Sequence, residues 1–311
     1  MARPLALLVA ACLLLGASCG GDDDEGEDAG AGTTAAETQE AAKPTVVIGT
    51  KNFTEQYVLG ELYRQALEAK GFTVELKSDI GSTEIIDTSL TSGQINMYPE
   101  YTGTSLTVVF GQEGSKETAE ETYAEAKRLY EERGQTLLAM TPFSDSDAIA
   151  VLKTTADEVG LQTIGDLSKV PNLRLGGQPE FRTRAQGLPG LRENYGLDNI
   201  TFVPFAGISP YEALDQGRVE AAAIFSTDPP LATGKYVVLE DTEAQFGFQN
   251  VAPVVDQELA DQLGDEFVEA VDAVTALLTE EAIISMNSAV AIDQRQPEEV
   301  AMEFLQANNL L

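Results

Sequence analysis

The chain has 311 residues with 51 acidic side chains against 19 basic ones, a net charge of -32, and no histidine or tryptophan. Such acidity argues against nucleic acid or an anionic membrane surface as a partner, because both repel a negative field. The lack of histidine removes the usual general base, histidine zinc ligands and every Ser-His-Asp or Cys-His arrangement.

In chain order, Arg3 precedes an apolar run from Leu5 to Leu15 and then small residues, the pattern of an export leader. The run is too short to span a bilayer as a helix. Gly16, Ala17 and Ser18 stand directly before Cys19, which looks like a bacterial lipobox, with Gly16 where leucine is usual. Residues 1–19 are therefore expected to be a lipoprotein signal ending at the anchor Cys19. Both cysteines fall in this segment, so the body has no disulfide. Residues 20–44 are Gly, Ala, Thr and acids such as Asp22-Asp23-Asp24-Glu25, and read as a solvated tether.

The remaining body exceeds one ordinary domain, which makes two lobes the expectation. Val46-Val47-Ile48-Gly49 reads as a strand, and Tyr57 to Ala69 carries apolar residues on one helical face, ended by Gly71. Phe72 to Leu76 alternates as a strand, and Ser82-Thr83-Glu84 opens a second helix. Gln94 to Met97 is a strand-like run followed by Tyr98-Pro99-Glu100-Tyr101-Thr102-Gly103-Thr104, which reads as a turn leaving the sheet. Such turns are where open α/β proteins place ligands. This β-α-β-α order predicts an α/β fold with a mainly parallel sheet. Glu120, Glu121, Glu125 and Lys127 mark a solvated helix face.

A second series comprises the runs Ala148–Leu152, Leu173–Gly177, Thr201–Phe205, Ala221–Phe225 and Tyr236–Leu239, and from Leu259 onward only helices are expected. The expected organisation is 45–145 plus 251–311 as one lobe and 146–250 as the other. Crossings near 145 and 250 would form the hinge.

Three segments carry a resemblance: Gly49-Thr50-Lys51-Asn52-Phe53-Thr54-Glu55-Gln56, Tyr98 to Thr104, and Phe225-Ser226-Thr227-Asp228. Together they resemble the solute-binding proteins of glycine betaine/choline/carnitine ABC importers. The resemblance covers nearly everything after residue 45. It implies a two-lobed periplasmic-binding-protein-like fold (type II) with the ligand in the cleft between lobes. It further implies a place outside the cytoplasm, with an ABC permease and a cytoplasmic ATPase as partners; with the anchor expected at Cys19, the protein is expected to be a lipid-anchored monomer. No catalytic role, metal or cofactor is expected.

The family's carboxylate clamp carries over onto Lys51, Thr104 and Arg184, the last within Glu180-Phe181-Arg182-Thr183-Arg184. Its four cage tyrosines fall on Tyr101, Asp147, Phe225 and Gln249, and its hinge acid on Asp145. Two rings are thus lost from the cage. A carboxylate and an amide there suit a hydrogen-bonding cation better than a bare trimethylammonium. Phe53, Tyr57 and Tyr63 read as packing residues, and Ser226, Thr227 and Asp228 as shaping a turn by local hydrogen bonds. The expected ligand is a small zwitterionic or cationic solute, of betaine or choline type. The alternatives are a non-betaine amine or amino-acid-like solute, or a sensing rather than a transport role.

Overall fold

The computed structural model describes residues 43–112, 116–205 and 207–311. The leader, Cys19 and the tether up to residue 42 lie outside the described residues. The strands are β1 (Val46–Lys51), β2 (Val74–Gly81), β3 (Met97–Tyr101), β4 (Gln135–Leu137), β5 (Asp147–Leu152), β6 (Arg174–Gly177), β7 (Thr201–Pro204), β8 (Ala221–Phe225), β9 (Tyr236–Val238) and β10 (Val251–Asp256). They form two five-stranded sheets, ordered β2-β1-β3-β10-β4 and β7-β6-β8-β5-β9.

Each sheet is mixed rather than mainly parallel. In the first, β1 runs parallel to β2 and β3, while β10 is antiparallel to β3 and β4. In the second, β6 runs parallel to β7 and β8, while β5 is antiparallel to β8 and β9. The reason is topological: β5 and β10 are the strands the chain enters directly after passing from one sheet to the other. They arrive from the opposite end to strands fed by a helical crossover.

The segment read as a turn after Met97 is the strand itself. Tyr98-Pro99-Glu100-Tyr101 belong to β3, and helical turns begin only at Thr102. Pro99 stands opposite Pro253 of β10 in the antiparallel register. The Pro253 carbonyl turns outward to the Leu138 N–H, and that of Pro99 to Gln56. The two missing N–H groups therefore fall where the β3–β10 ladder does not need them. On the other side of β3 the ladder to β1 narrows to the pairing of Ile48 with Met97. Gln56 fills the gap: its Oε1 accepts from the Lys51 N–H at 3.2 Å, and its Nε2 donates to the Pro99 carbonyl at 3.1 Å.

Both sheets are covered on both faces. Helix α1 (Thr54–Ala69) packs Val58, Leu59, Leu62 and Leu67 into one core with Val46, Ile48 and residues of the C-terminal helices such as Phe267, Val271, Ala301 and Leu305. Tyr63 is buried there, sharing a 3.0 Å hydrogen bond with Thr275. The other face of the first sheet holds α2 (Thr83–Thr91) and the helix Ala119–Glu132, with Tyr98 bonded to Tyr130 at 3.3 Å. Tyr98 and Tyr101 thus face opposite sides of the sheet. The second sheet is sandwiched in the same way between two apolar clusters, one around Ile149, Leu175 and Leu191, the other around Ala150, Leu214 and Ile224.

The two passages between sheets run side by side. Ser144 bridges Asn250 in an antiparallel pairing, and the Asp145 N–H donates to the Gln249 carbonyl at 3.1 Å. Asn250 adds two bonds from Nδ2, to the Thr141 and Phe143 carbonyls, at 3.0 Å each.

Replacing Gln56, which is fully buried, by leucine removes both splices between β1 and β3 and orphans a buried N–H and a buried carbonyl. The expected loss is about 2–4 kcal/mol of unfolding free energy, measured by urea titration. An unchanged midpoint and slope would show that the splice is dispensable.

Candidate functional site

A cavity of about 460 Å³ opens where the carboxyl ends of the parallel strands of both sheets meet the two passages. This is the position open α/β sheets offer for a ligand. Lys51 ends β1, Tyr101 ends β3 and Phe225 ends β8, while Asp147 begins β5 directly opposite Phe225. Thr104 comes from the turn after β3, Arg184 from the loop after β6, and Asp145 and Gln249 from the two passages. All eight positions expected from sequence line this one cavity.

Its aromatic wall has a ring that the sequence reading assigned to packing. Phe53, at the start of α1, stacks on Phe225 with centroids 5.2 Å apart and on Tyr101 at 6.1 Å. Phe53 thus joins Tyr101 and Phe225 in a row of three rings that spans both sheets, and Phe181 and Phe205 line the same cavity. The Tyr101 ring is fixed at its far end, where its hydroxyl donates to Glu55 Oε1 at 2.9 Å and accepts from Gln56 Nε2 at 3.3 Å.

Glu55 ties three parts of the molecule together. Its Oε2 accepts from the Thr227 hydroxyl at 2.7 Å and from the Asn287 amide at 2.9 Å. Thr227 therefore does more than shape its own turn: it links the end of β8 to α1. Asp145 accepts from the Thr227 N–H at 3.1 Å, and Asp228 from the Phe225 N–H and the Tyr211 hydroxyl. Burial raises the carboxyl pKa of all three acids; at Asp145 the negative charges of Glu55 and Asp228 push it further, well above the ordinary range.

The cationic residues already have carboxylate partners. Lys51 is buried with its ammonium on Glu100 Oε1, 4.8 Å from the centre of the Tyr101 ring. Burial lowers the Lys51 pKa, with Glu100 opposing that shift. Glu100 Oε1 also accepts from the Tyr101 N–H, and its Oε2 has no hydrogen-bond partner among the described residues. Arg184 directs Nε and Nη2 to Glu84 at 3.2 and 3.0 Å, across the cleft onto the first turn of α2. Burial alone would lower the Arg184 guanidinium, and the Glu84 contact together with the negative charges of Glu180 and Asp147 outweighs it, so the pKa rises.

Two polar residues expected to face the solute are partnered within the protein. The Thr104 N–H and hydroxyl both donate to Gln249 Oε1, at 2.9 and 3.2 Å, and Gln249 Nε2 donates to the Phe246 carbonyl at 3.1 Å. Gly103 permits this approach, since a Cβ there would lie 2.5 Å from the Phe248 carbonyl. Asp147 is the contrast: its carboxylate has no hydrogen bond among the described residues, and burial raises its pKa to about 6 against the pull of Arg184 and Lys51.

Two linked α/β lobes around a cavity lined by stacked rings, two carboxylate-paired cations and an unpartnered Asp147 carboxylate define a solute-binding protein. The chain belongs to the family described as the substrate-binding domain of ABC-type glycine betaine transport systems, matched over residues 44–307. It is 33% identical over 284 residues to a glycine-betaine-binding protein of Pseudomonas aeruginosa, covering 87% of this chain and 90% of that one. The Escherichia coli glycine betaine-binding protein YehZ is 28% identical over 280 residues, with 86% and 91% covered. The crystal structure of a glycine betaine/carnitine/choline ABC transporter has a TM-score of 0.69 at 25% identity, covering 85% of this chain and 99% of that one. The fold is accordingly the two-lobed periplasmic-binding-protein-like α/β fold.

Lys51→Met should leave the Glu100 carboxylate buried without its cation and lower the unfolding free energy by about 3–5 kcal/mol. Lys51→Met combined with Glu100→Gln should recover most of that loss in thermal and urea unfolding. A single variant as stable as the parent would contradict the pairing.

Proposed function

We propose that the chain is the extracytoplasmic receptor of an ABC importer, anchored through a lipid on Cys19, that takes up a small organic cation or zwitterion of the betaine and choline type. Lobes of residues 45–145 with 251–311 and of 146–250 close on the solute. The closed, monomeric form then delivers it to a permease driven by a cytoplasmic ATPase. The observation that supports this most is the juxtaposition of the Tyr101–Phe53–Phe225 rings with the unpartnered Asp147 carboxylate in one cavity. An ammonium group, quaternary or protonated, is what ring faces and a carboxylate together attract. The names of the relatives point to the same solutes.

A thermal-shift screen with choline, glycine betaine, carnitine, proline and polar amines tests the reading, because a ligand that binds only the native state raises the melting temperature. At least one ammonium compound should stabilise the protein, and a screen in which none does so would refute the assignment. Cys19→Ser should release the protein from the membrane fraction; unchanged fractionation would remove the anchor from the account.

Phe53→Ala should weaken the best ligand by about 2- to 30-fold, the equivalent of about 0.5–2 kcal/mol for one desolvated ring, with Phe53→Tyr close to the parent. Equal affinities for all three proteins in calorimetry would exclude Phe53 from the wall.

Cation affinity should also depend on pH. Asp147, raised to about 6, is mostly neutral at pH 5 and mostly ionised at pH 7.5. Affinity should therefore rise about ten-fold between those values and level off above, and Asp147→Asn should flatten the profile. A wild-type profile flat from pH 5 to 7.5 would show that Asp147 does not meet the cation.

A further inference from the structure

Arg184 reaches the cavity from the second lobe and, with Lys51, is the group to which a solute carboxylate would be drawn. Its two-point contact with Glu84 crosses the cleft, so a carboxylate of the protein occupies the Nε–Nη2 edge of the guanidinium and leaves Nη1 without a bond among the described residues. Glu84 is held in place for this. The Ser82 hydroxyl donates to its Oε2 at 2.6 Å, and it lies on the first turn of α2, whose neighbours Ser82, Thr83 and Ile85 line the cavity. These contacts hold its pKa down to about 2 against partial burial, so it stays ionised at any working pH.

The second cation is neutralised in the same manner by Glu100 beneath it. With both positive groups matched, the carboxylate of Asp147 stands without a counter-charge of its own in the cavity.

We infer that Glu84 is a specificity-determining residue: it acts as a built-in carboxylate on Arg184, so that the site selects organic monocations lacking a carboxylate over zwitterions carrying one. This rests on the solute-uptake reading above and narrows its substrate class. A zwitterion would have to displace Glu84 or share Arg184 with it, setting two carboxylates against one guanidinium across the cleft. A carboxylate-free cation leaves the Arg184–Glu84 bridge intact, and the bridge then holds the lobes together over it. Discrimination of this kind comes from repulsion built into the site as well as from attraction to the preferred ligand.

The test is calorimetry at pH 7.5 with two matched pairs, choline with glycine betaine and ethanolamine with glycine, on the wild type and on Glu84→Gln. The members of each pair share an ammonium group and differ in the carboxylate. The wild type should bind the carboxylate-free member of a pair at least ten-fold more tightly. In Glu84→Gln the ratio should shrink by about ten-fold or more, chiefly because the zwitterion gains affinity. Because the readout is a ratio, a general loosening of the closed state by the substitution cancels, and Glu84→Ala should shift the ratio in the same direction.

A wild type that prefers the zwitterion, or a ratio unmoved by both substitutions, overturns the role of Glu84 while leaving uptake of ammonium solutes standing. Absence of binding to these four compounds and to every other ammonium compound in the screen overturns the uptake reading and this inference with it.

Discussion

Everything at the site depends on the two passages between the sheets lying side by side. The Ser144–Asn250 bridge and the Asp145–Gln249 backbone bond bring the end of β3, the start of β5 and the start of β10 to one place. Because the parallel strands of both sheets finish there, their last residues project into the same space. A shift of one residue in that pairing would turn Asp147 or Gln249 away from the cavity, since side chains alternate along an extended chain. Asn250 resists such a shift by bonding both the Thr141 and Phe143 carbonyls.

The charges of the cavity follow a consistent logic. Lys51 and Arg184 are each matched to a carboxylate, and Glu55 and Asp145 are matched to hydroxyl, amide and backbone donors instead of cations. Burying a charge without a partner is costly, so an acid-rich interior is stable only where hydrogen bonds replace water or where the group takes up a proton. Of the acids on the strands that end at the cavity, Asp147 is the one for which neither partner is supplied by the described residues. The protein thereby keeps one charge in reserve at the face where rings from both lobes meet.

Much of this was legible in the sequence, and the reasons for the remainder are specific. Val46–Ile48 and Ala221–Phe225 were readable as strands because they are short apolar runs. Lys51, Tyr101 and Arg184 were placed together only by the family resemblance that their motifs carry, and all three line the cavity. β3 was hidden by Pro99 and Gly103, which are turn signals in isolation; only the register against Pro253 shows why a proline is tolerated there. β10 went unassigned, and its Pro253 is the same kind of signal. Glu84 and Glu100 carried no local signal at all, since each matters through a cation 100 or 49 positions away in the chain. Phe53 was ambiguous for a similar reason: its stacking partners come from β3 and β8, and nothing near it in sequence announces them.

The central proposal is that the two lobes close around a small solute, with Glu55–Thr227 and Glu84–Arg184 as contacts that would join them. Hinged proteins of this kind open when the solute leaves and close when it binds. Small-angle X-ray scattering, without ligand and at a saturating concentration of an ammonium compound shown by calorimetry to bind, measures this directly. The account predicts a smaller radius of gyration with ligand than without it. Identical profiles with and without a ligand known to occupy the cavity would contradict it.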